Sequence, residues 1–344
     1  MKPLKLTWQR RNLHLKHPFQ IASVRRPVST DKQVLLVAIE HGGCIGWGEA
    51  SPVSYYHQSL DSAEAVFDQA ATMLGDDPFA FDAILDPLWE RFGGEPAAIS
   101  AIDIALHDLA GKLMNVPVWK WFGMDPARVP STSFTIGLDE SAVVRQKVLE
   151  AADFPILKIK VGTPTDEAIL EVVREAAPEK TLRVDANGGW LDTEVAEKAA
   201  HLARTYRLEF IEQPTPPGQH DALPEVRRRV ACPIIADESC RSPRDIPTCA
   251  NVFDAINIKL CKCGGIRRAL EMIHVARALG LGVMLGCMVE TSIGIAAAAQ
   301  LAPRVDWVDL DGHLLLADDP FEGIGGGAGR LTLNDRPGLG IVER

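Results

Sequence analysis

Residues 156–162 read ILKIKVG. The run is aliphatic apart from two lysines, and side chains of a strand alternate between its faces. Lys158 and Lys160 therefore point one way, and Leu157, Ile159 and Val161 the other. Two ammonium groups on one face repel each other, so that face must meet negative charge. Seven further apolar runs of strand length accompany this one between residues 132 and 312: TSFTIG, LRVDANGG, EFIEQP, PIIADES, AINIKL, GVMLGCMVE and VDWVDLDG. Helix-like segments lie between them, such as TDEAILEVVREAAPE and GGIRRALEMIHVARALG. Strands alternating with helices of this size predict βαβ units and a parallel sheet. Eight strands predict a closed α/β barrel. No helical pattern follows Asp311, so the expected form is a modified (β/α)7β barrel over residues 125–315. The glycine-rich tail, 316–344, is expected to run back to the first part of the chain as a strand.

Residues 1–124 follow another pattern. QVLLVAIE, a Gly42-Gly43 turn and CIGWGEA predict a β-hairpin. Helical periodicity follows in SLDSAEAVFDQAATML and AAISAIDIALHDLAGKLM. This segment reads as a separate α+β unit.

The chain of 344 residues carries a net charge of −10, which argues against nucleic acid and anionic membrane surfaces as partners. The amino-terminal segment lacks the apolar core of a signal peptide, and no apolar run is long enough to span a bilayer. Seven cysteines without a framework spacing suggest reduced thiols and a cytoplasmic protein. Cys261 and Cys263 have no second Cys/His pair at zinc spacing.

The strands share one feature. Each ends in a polar residue: Thr135, Lys160, Asp185, Glu212, Asp237 and Lys259, at intervals of 25, 25, 27, 25 and 22 residues. In a barrel these ends meet at one mouth, where active sites sit. Asp185, Glu212 and Asp237 then form a carboxylate trio that cannot stay ionised together without a counter-charge. A hard divalent cation supplies it; Mg²⁺ fits best and Mn²⁺ is tolerated. Loop caps or surface ion pairs would explain each acid singly, but not three in register between two lysines. Lys262 follows where the chain leaves its strand and is expected to turn away from the mouth.

A carboxylate substrate held by such an ion has an acidified α-proton, because the metal stabilises the enediolate left behind. A neutral lysine can remove that proton, and a neighbouring positive charge favours the neutral form. Lys158 beside Lys160 is such an arrangement. Lys259, across the barrel, can return a proton to the opposite face and invert the stereocentre.

The series K-x-K, VDANGGW, IEQP, ADES and KLCKCGG resembles the enolase superfamily, muconate-lactonising subgroup. GWGEASP at 46–52 and SAIDIALHDLAGK at 100–112 resemble its first-domain segments. The resemblance implies an α+β capping domain over a barrel lacking its last helix. It implies Asp185, Glu212 and Asp237 as metal ligands, Lys160 and Lys259 as the acid/base pair and Lys158 as their companion. The mandelate-racemase branch would place a histidine where Lys259 stands. Asp309 and Asp311, a D-x-D at the last strand, resemble the pair with which dipeptide epimerases bind a substrate α-ammonium. By the same likeness Thr135, Cys287, Met288 and Glu290 contact substrate. Arg25 and Arg26 in ASVRRPVST stand where Ala-Glu epimerases carry an arginine for the glutamate side chain; SPVSYYHQS is the other specificity loop.

The function implied is Mg²⁺-dependent epimerisation of the C-terminal residue of a dipeptide, leaning to Ala-Glu-like substrates, with hydrophobic and cationic dipeptides still open. o-Succinylbenzoate synthase, muconate cycloisomerase and N-acylamino-acid racemase use the same site but need no ammonium subsite. A non-catalytic ligand-binding barrel should have lost a ring residue, and none is missing. A Schiff-base aldolase needs no carboxylate trio. A second copy of the chain is the one macromolecular partner left open.

Overall fold

The computed structural model describes residues 3–22, 29–191 and 195–344. Strands β1 (Lys5–Phe19), β2 (Ser29–His41) and β3 (Cys44–Ala50) form an antiparallel sheet in chain order. Gly42 and Gly43 join β2 to β3 with φ of 61° and 82°, the left-handed pair that a tight hairpin turn requires. β2 is buried on both faces. Val34 and Leu36 join Leu13 of β1 in the core shared with the barrel, whereas Leu35, Val37 and Ile39 join the core of the capping helices. Those helices are α1 (Leu60–Ala70), α2 (Phe81–Phe92) and α3 (Pro96–Met114). α3 lies directly on β3. A Cβ at Gly46 or Gly48 would fall 2.1 Å from the Ala105 carbonyl oxygen or 2.0 Å from that of Ala101. The glycines of GWGEA are thus what lets the helix seat.

Eight parallel strands follow: β4 (Phe134–Ile136), β5 (Ile156–Lys160), β6 (Thr181–Asp185), β7 (Leu208–Glu212), β8 (Ile234–Ala236), β9 (Ala255–Ile258), β10 (Gly282–Gly286) and β11 (Trp307–Asp309). Each pairs with the next, and a parallel bridge from Thr132 to Val308 closes β4 against β11. Leu157, Leu182 and Val184 are fully buried beneath the outer helices, so side chains of the other parity fill the barrel. Phe210, Ile235, Ala255 and Met284 form an inner layer with Trp307. Arg183 is fully buried there. It pairs with Glu209 at 2.6 Å, donates to the Val308 carbonyl at 2.7 Å and lies 5.1 Å from the Phe210 ring centre.

Only short 3₁₀ turns, Gly312–Leu315 and Gly327–Gly329, follow β11, so the eighth helix is absent as expected. The tail does not add a strand to the capping sheet. It meets β1 at a single antiparallel bridge, Leu316 to Leu15, with the Ala317 N–H on the His14 carbonyl. It then pairs with itself, β12 (Phe321–Glu322) against β13 (Val342–Glu343), and touches the cap again through a Pro117–Gly338 bridge and the Leu339 N–H on Asp108. Gly338, Gly340 and their neighbours turn too often for a longer strand. Among the described residues no helix is long and apolar enough to cross a membrane.

Candidate active site

Lys160, Asp185 and Glu212 are the last residues of β5, β6 and β7; Asp237 and Lys259 directly follow β8 and β9. Strand parity turns all five inward at the carboxyl end of the barrel, and all are buried. Lys158 lies one inward layer deeper than Lys160 on the same strand. Its ammonium is 2.5 Å from Asp309, 2.7 Å from Glu212 and 3.3 Å from Asp185. Lys160 lies 2.6 Å from Asp185, and Lys259 2.9 Å from Asp237.

Lys262 does not turn away. The chain enters a short helix, Leu260–Cys263, immediately after β9, and this swings Lys262 back beneath the mouth. It sits 2.5 Å from the Asp237 carboxylate and donates to the carbonyls of Asp237, Cys240 and Asn257.

Ligand oxygens of Asp185, Glu212 and Asp237 all lie within 4.8 Å of one another. Glu212 Oε2 is buried without a hydrogen bond, although the Lys158 ammonium approaches it off the hydrogen-bonding direction. Asn187 Oδ1, Asn257 Oδ1 and Glu238 Oε2 are likewise buried acceptors without donors. Their amide groups are engaged: Asn257 donates to Glu212 at 2.8 Å, and Asn187 to Glu238 at 3.1 Å. A dense, donor-poor set of oxygens suits a hard divalent ion.

Charge balance gives the same answer. With every group ionised, six carboxylates (Asp185, Glu212, Asp237, Glu238, Asp309, Asp311) face four ammonium groups (Lys158, Lys160, Lys259, Lys262), an excess of two negative charges. Burial together with this excess raises three of the carboxyls. Burial, then the neighbouring Asp185, pushes Glu212 up to about 7. Burial, then Asp237, pushes Glu238 up to about 8. Burial, then Asp309, pushes Asp311 up to about 7. Asp237 goes the other way: burial opposes ionisation, but Lys259 and Lys262 together hold it well below the usual range. Asp309 is drawn down to about 2, Lys158 outweighing its burial.

A cavity of about 180 Å³ stands over this set, lined by Thr135, Lys158, Lys160, Lys259, Asp309 and Asp311 among others. Cys287 and Met288 also line it, with Tyr55 of the second specificity loop. Asp309 accepts from Ser133 Oγ at 2.6 Å, and Asp311 from the Thr135 backbone N–H at 2.6 Å. Glu290 is set back from the wall, where it accepts the Met288 N–H at 3.4 Å. Arg25 and Arg26 lie outside the described residues.

The sequence itself is matched over residues 5–123 by the family model "Mandelate racemase / muconate lactonizing enzyme, N-terminal domain", and over 141–343 by "Enolase C-terminal domain-like". An L-Ala-D/L-Glu epimerase of Bacteroides thetaiotaomicron is 40% identical over 341 residues, 99% of this chain and 88% of that protein. The chain belongs to the dipeptide epimerases of the enolase superfamily. Another relative, an L-Ala-D/L-amino acid epimerase of Pedosphaera parvula, is 39% identical over 95% of each chain. Among solved structures, the dipeptide epimerase of Enterococcus faecalis V583, complexed with Mg and L-Leu-L-Tyr, superposes with a TM-score of 0.92. It is 33% identical, with 99% of each chain covered.

Behind the site of this dipeptide-epimerase fold, Glu49 of GWGEA is buried and accepts the backbone N–H (3.0 Å) and hydroxyl of Thr291. Burial, then the charge of Glu290, pushes Glu49 up to about 8; Asp319 adds to this. Lys32 is the cation facing the pair, acting on Glu49 and Glu290 through space. The folded state therefore holds the Glu49 proton more tightly than the unfolded chain, whose glutamates titrate near ~4.3. Its contribution to stability is present below that value and is lost as pH rises through about 8. Glu49→Gln is expected to flatten the fall in melting temperature between pH 6 and pH 9. Parallel wild-type and variant curves would show that Glu49 is not the group responsible.

Proposed function

We propose that the protein epimerises the C-terminal residue of a dipeptide by proton transfer between Lys160 and Lys259 across the carboxylate trio. The observation that carries this reading is the position of the two lysines. One ends β5 and the other follows β9, both line one cavity, and the trio of β6, β7 and β8 lies between them. Asp185, Glu212 and Asp237 would hold Mg²⁺, which supplies positive charge for the negative charge that develops on a substrate carboxylate as its α-proton leaves.

Lys160 takes or gives the proton on one face of the α-carbon, and Lys259 on the other. One must be neutral and its partner charged at the start, and the two states are exchanged when the centre has inverted. Lys158 is a positioning residue. Its ammonium is shared among Asp309, Glu212 and Asp185 and ties the substrate end of the cavity to the metal end. Asp309 is already paired with Lys158, whereas Asp311 has no ion pair with any described residue. Asp311 therefore receives the substrate α-ammonium, with Asp309 beside it. That subsite argues against an acylated or amine-free substrate, as the synthase, cycloisomerase and N-acyl racemase reactions require. The seven cysteines, all free, fit a reducing compartment, and we place the protein in the cytoplasm.

The direct test is α-proton exchange in D₂O over a dipeptide panel, with both epimers followed by chromatography; an inert panel sinks the proposal. Asp311→Asn is expected to raise KM for the dipeptide about tenfold or more, the scale of one charge-assisted hydrogen bond. Mg²⁺ affinity, measured by calorimetry without substrate, should stay within about threefold. Equal losses in both would remove Asp311 from the ammonium subsite.

A further inference from the structure

The cavity is walled on its cap side by residues at the end of β1 and the start of β2 and by the segment after β3, with Phe19, Ile21, Val53 and Tyr55 supplying apolar surface. Among the described residues of this wall there is one cation, Lys32. Strand parity places Lys32 on the face of β2 that carries Val34 and Leu36, the face packed on the barrel, directly opposite Leu13 of β1. It is half-buried. The other ammonium groups on the wall each have a carboxylate close by: Lys158 at 2.5 Å, Lys160 at 2.6 Å and Lys259 at 2.9 Å. Lys32 has no ion pair and no hydrogen bond with any described residue. Its acidic neighbours, Glu290 and Glu49, are set back behind the wall and accept from Met288 and Thr291 instead. Burial draws the Lys32 ammonium below its ordinary value, against the through-space pull of Glu290 and Glu49.

We propose that Lys32 selects the substrate: it receives the side-chain carboxylate of a dipeptide ending in glutamate or aspartate. The inference rests on the epimerase reading above. In that reading the α-carboxylate is taken at the trio and the α-ammonium at Asp309 and Asp311. The side chain of the C-terminal residue is the remaining group, and among the described lining residues Lys32 is the one cation not already held by a carboxylate. An acidic side chain completes an ion pair with a partly desolvated ammonium. A neutral one buries against Phe19 and Tyr55 but leaves that ammonium unpaired, which is costly away from water. A cationic one is repelled. Lys32 thus favours acidic over neutral over cationic residues through both attraction and penalty.

The test compares L-Ala-L-Glu, its uncharged isostere L-Ala-L-Gln, and L-Ala-L-Lys, by D₂O exchange with the Mg²⁺-loaded enzyme. Wild type should show kcat/KM for the Glu substrate about tenfold or more above that for Gln, mainly through KM, with Lys poorest. Lys32→Met should bring the Glu-to-Gln ratio to near one, and Lys32→Arg should keep most of it, which separates a charge effect from loss of fold. A wild-type ratio near one, or a ratio that survives in Lys32→Met, overturns the assignment while leaving the epimerase standing. Absence of exchange with every dipeptide overturns the epimerase reading and this inference together.

Discussion

Lys160→Ala and Lys259→Ala are each expected to abolish net epimerisation, with losses of about 10²–10⁴-fold or more, the range for removing a positioned acid or base. The two variants should nevertheless differ in kind. Inversion needs a proton to leave one face of the α-carbon and another to arrive on the opposite face, and each lysine serves one face. A variant keeping one lysine can still exchange the α-proton of the epimer whose hydrogen points at it, with retention of configuration. Lys160→Ala and Lys259→Ala should therefore exchange opposite epimers in D₂O, seen by NMR, while chromatography shows no inversion. Either variant epimerising within about tenfold of wild type would rule out the two-lysine scheme. Both lysines are engaged with carboxylates of the trio, so the alanine variants also leave Asp185 or Asp237 short of a partner. Lys→Met variants, which keep the stem volume, control for that loss.

Removal of the divalent ion is expected to have a comparable effect. Six buried carboxylates against four ammonium groups leave a site that holds extra protons or a dication, and three of its carboxyls are pushed up to about 7 or 8. Dialysis against a chelator should stop α-proton exchange, and Mg²⁺ or Mn²⁺ should restore it. Binding to the folded state alone also stabilises by mass action, about 2.7 kcal/mol when the ion is at 100 times its Kd. The melting temperature should rise by roughly 5 °C or more on adding Mg²⁺, given ~2–4 °C per kcal/mol in large domains. Glu212→Gln should remove most of that rise, because Glu212 Oε2 is the trio oxygen left without a hydrogen bond. A chelated enzyme that keeps its turnover and its melting temperature would contradict the metal assignment.

Much of the site was legible because of one regularity. Polar residues ending apolar runs at intervals near 25 residues can come only from repeated βα units, and the barrel then brings Lys160, Asp185, Glu212, Asp237 and Lys259 together whatever the helices do. Asn257 shares the parity of Lys259 in AINIKL, so its inward direction was also readable in principle. Lys262 was not, because its direction depends on a four-residue helix after β9. The helix Phe81–Phe92 escaped notice because Pro87 lies inside it. Lys32 was hidden for a different reason. Both faces of β2 are buried, so VLLVAI is continuously apolar and shows no alternation from which a face could be read.

That two-faced strand separates two things that most sites keep together. Residues proposed for proton transfer and metal binding come from the barrel strands, while β2 presents Lys32, Val34 and Leu36 toward the barrel and hands Leu35, Val37 and Ile39 to the core of the capping helices. A change at Lys32 alters what the cavity accepts without moving a strand that carries an acid or a base. A change at its even-numbered neighbours leaves the capping core intact. Substrate preference can therefore drift by substitution at that one position of one strand while the reaction stays fixed, and the same position is where a protein engineer would begin.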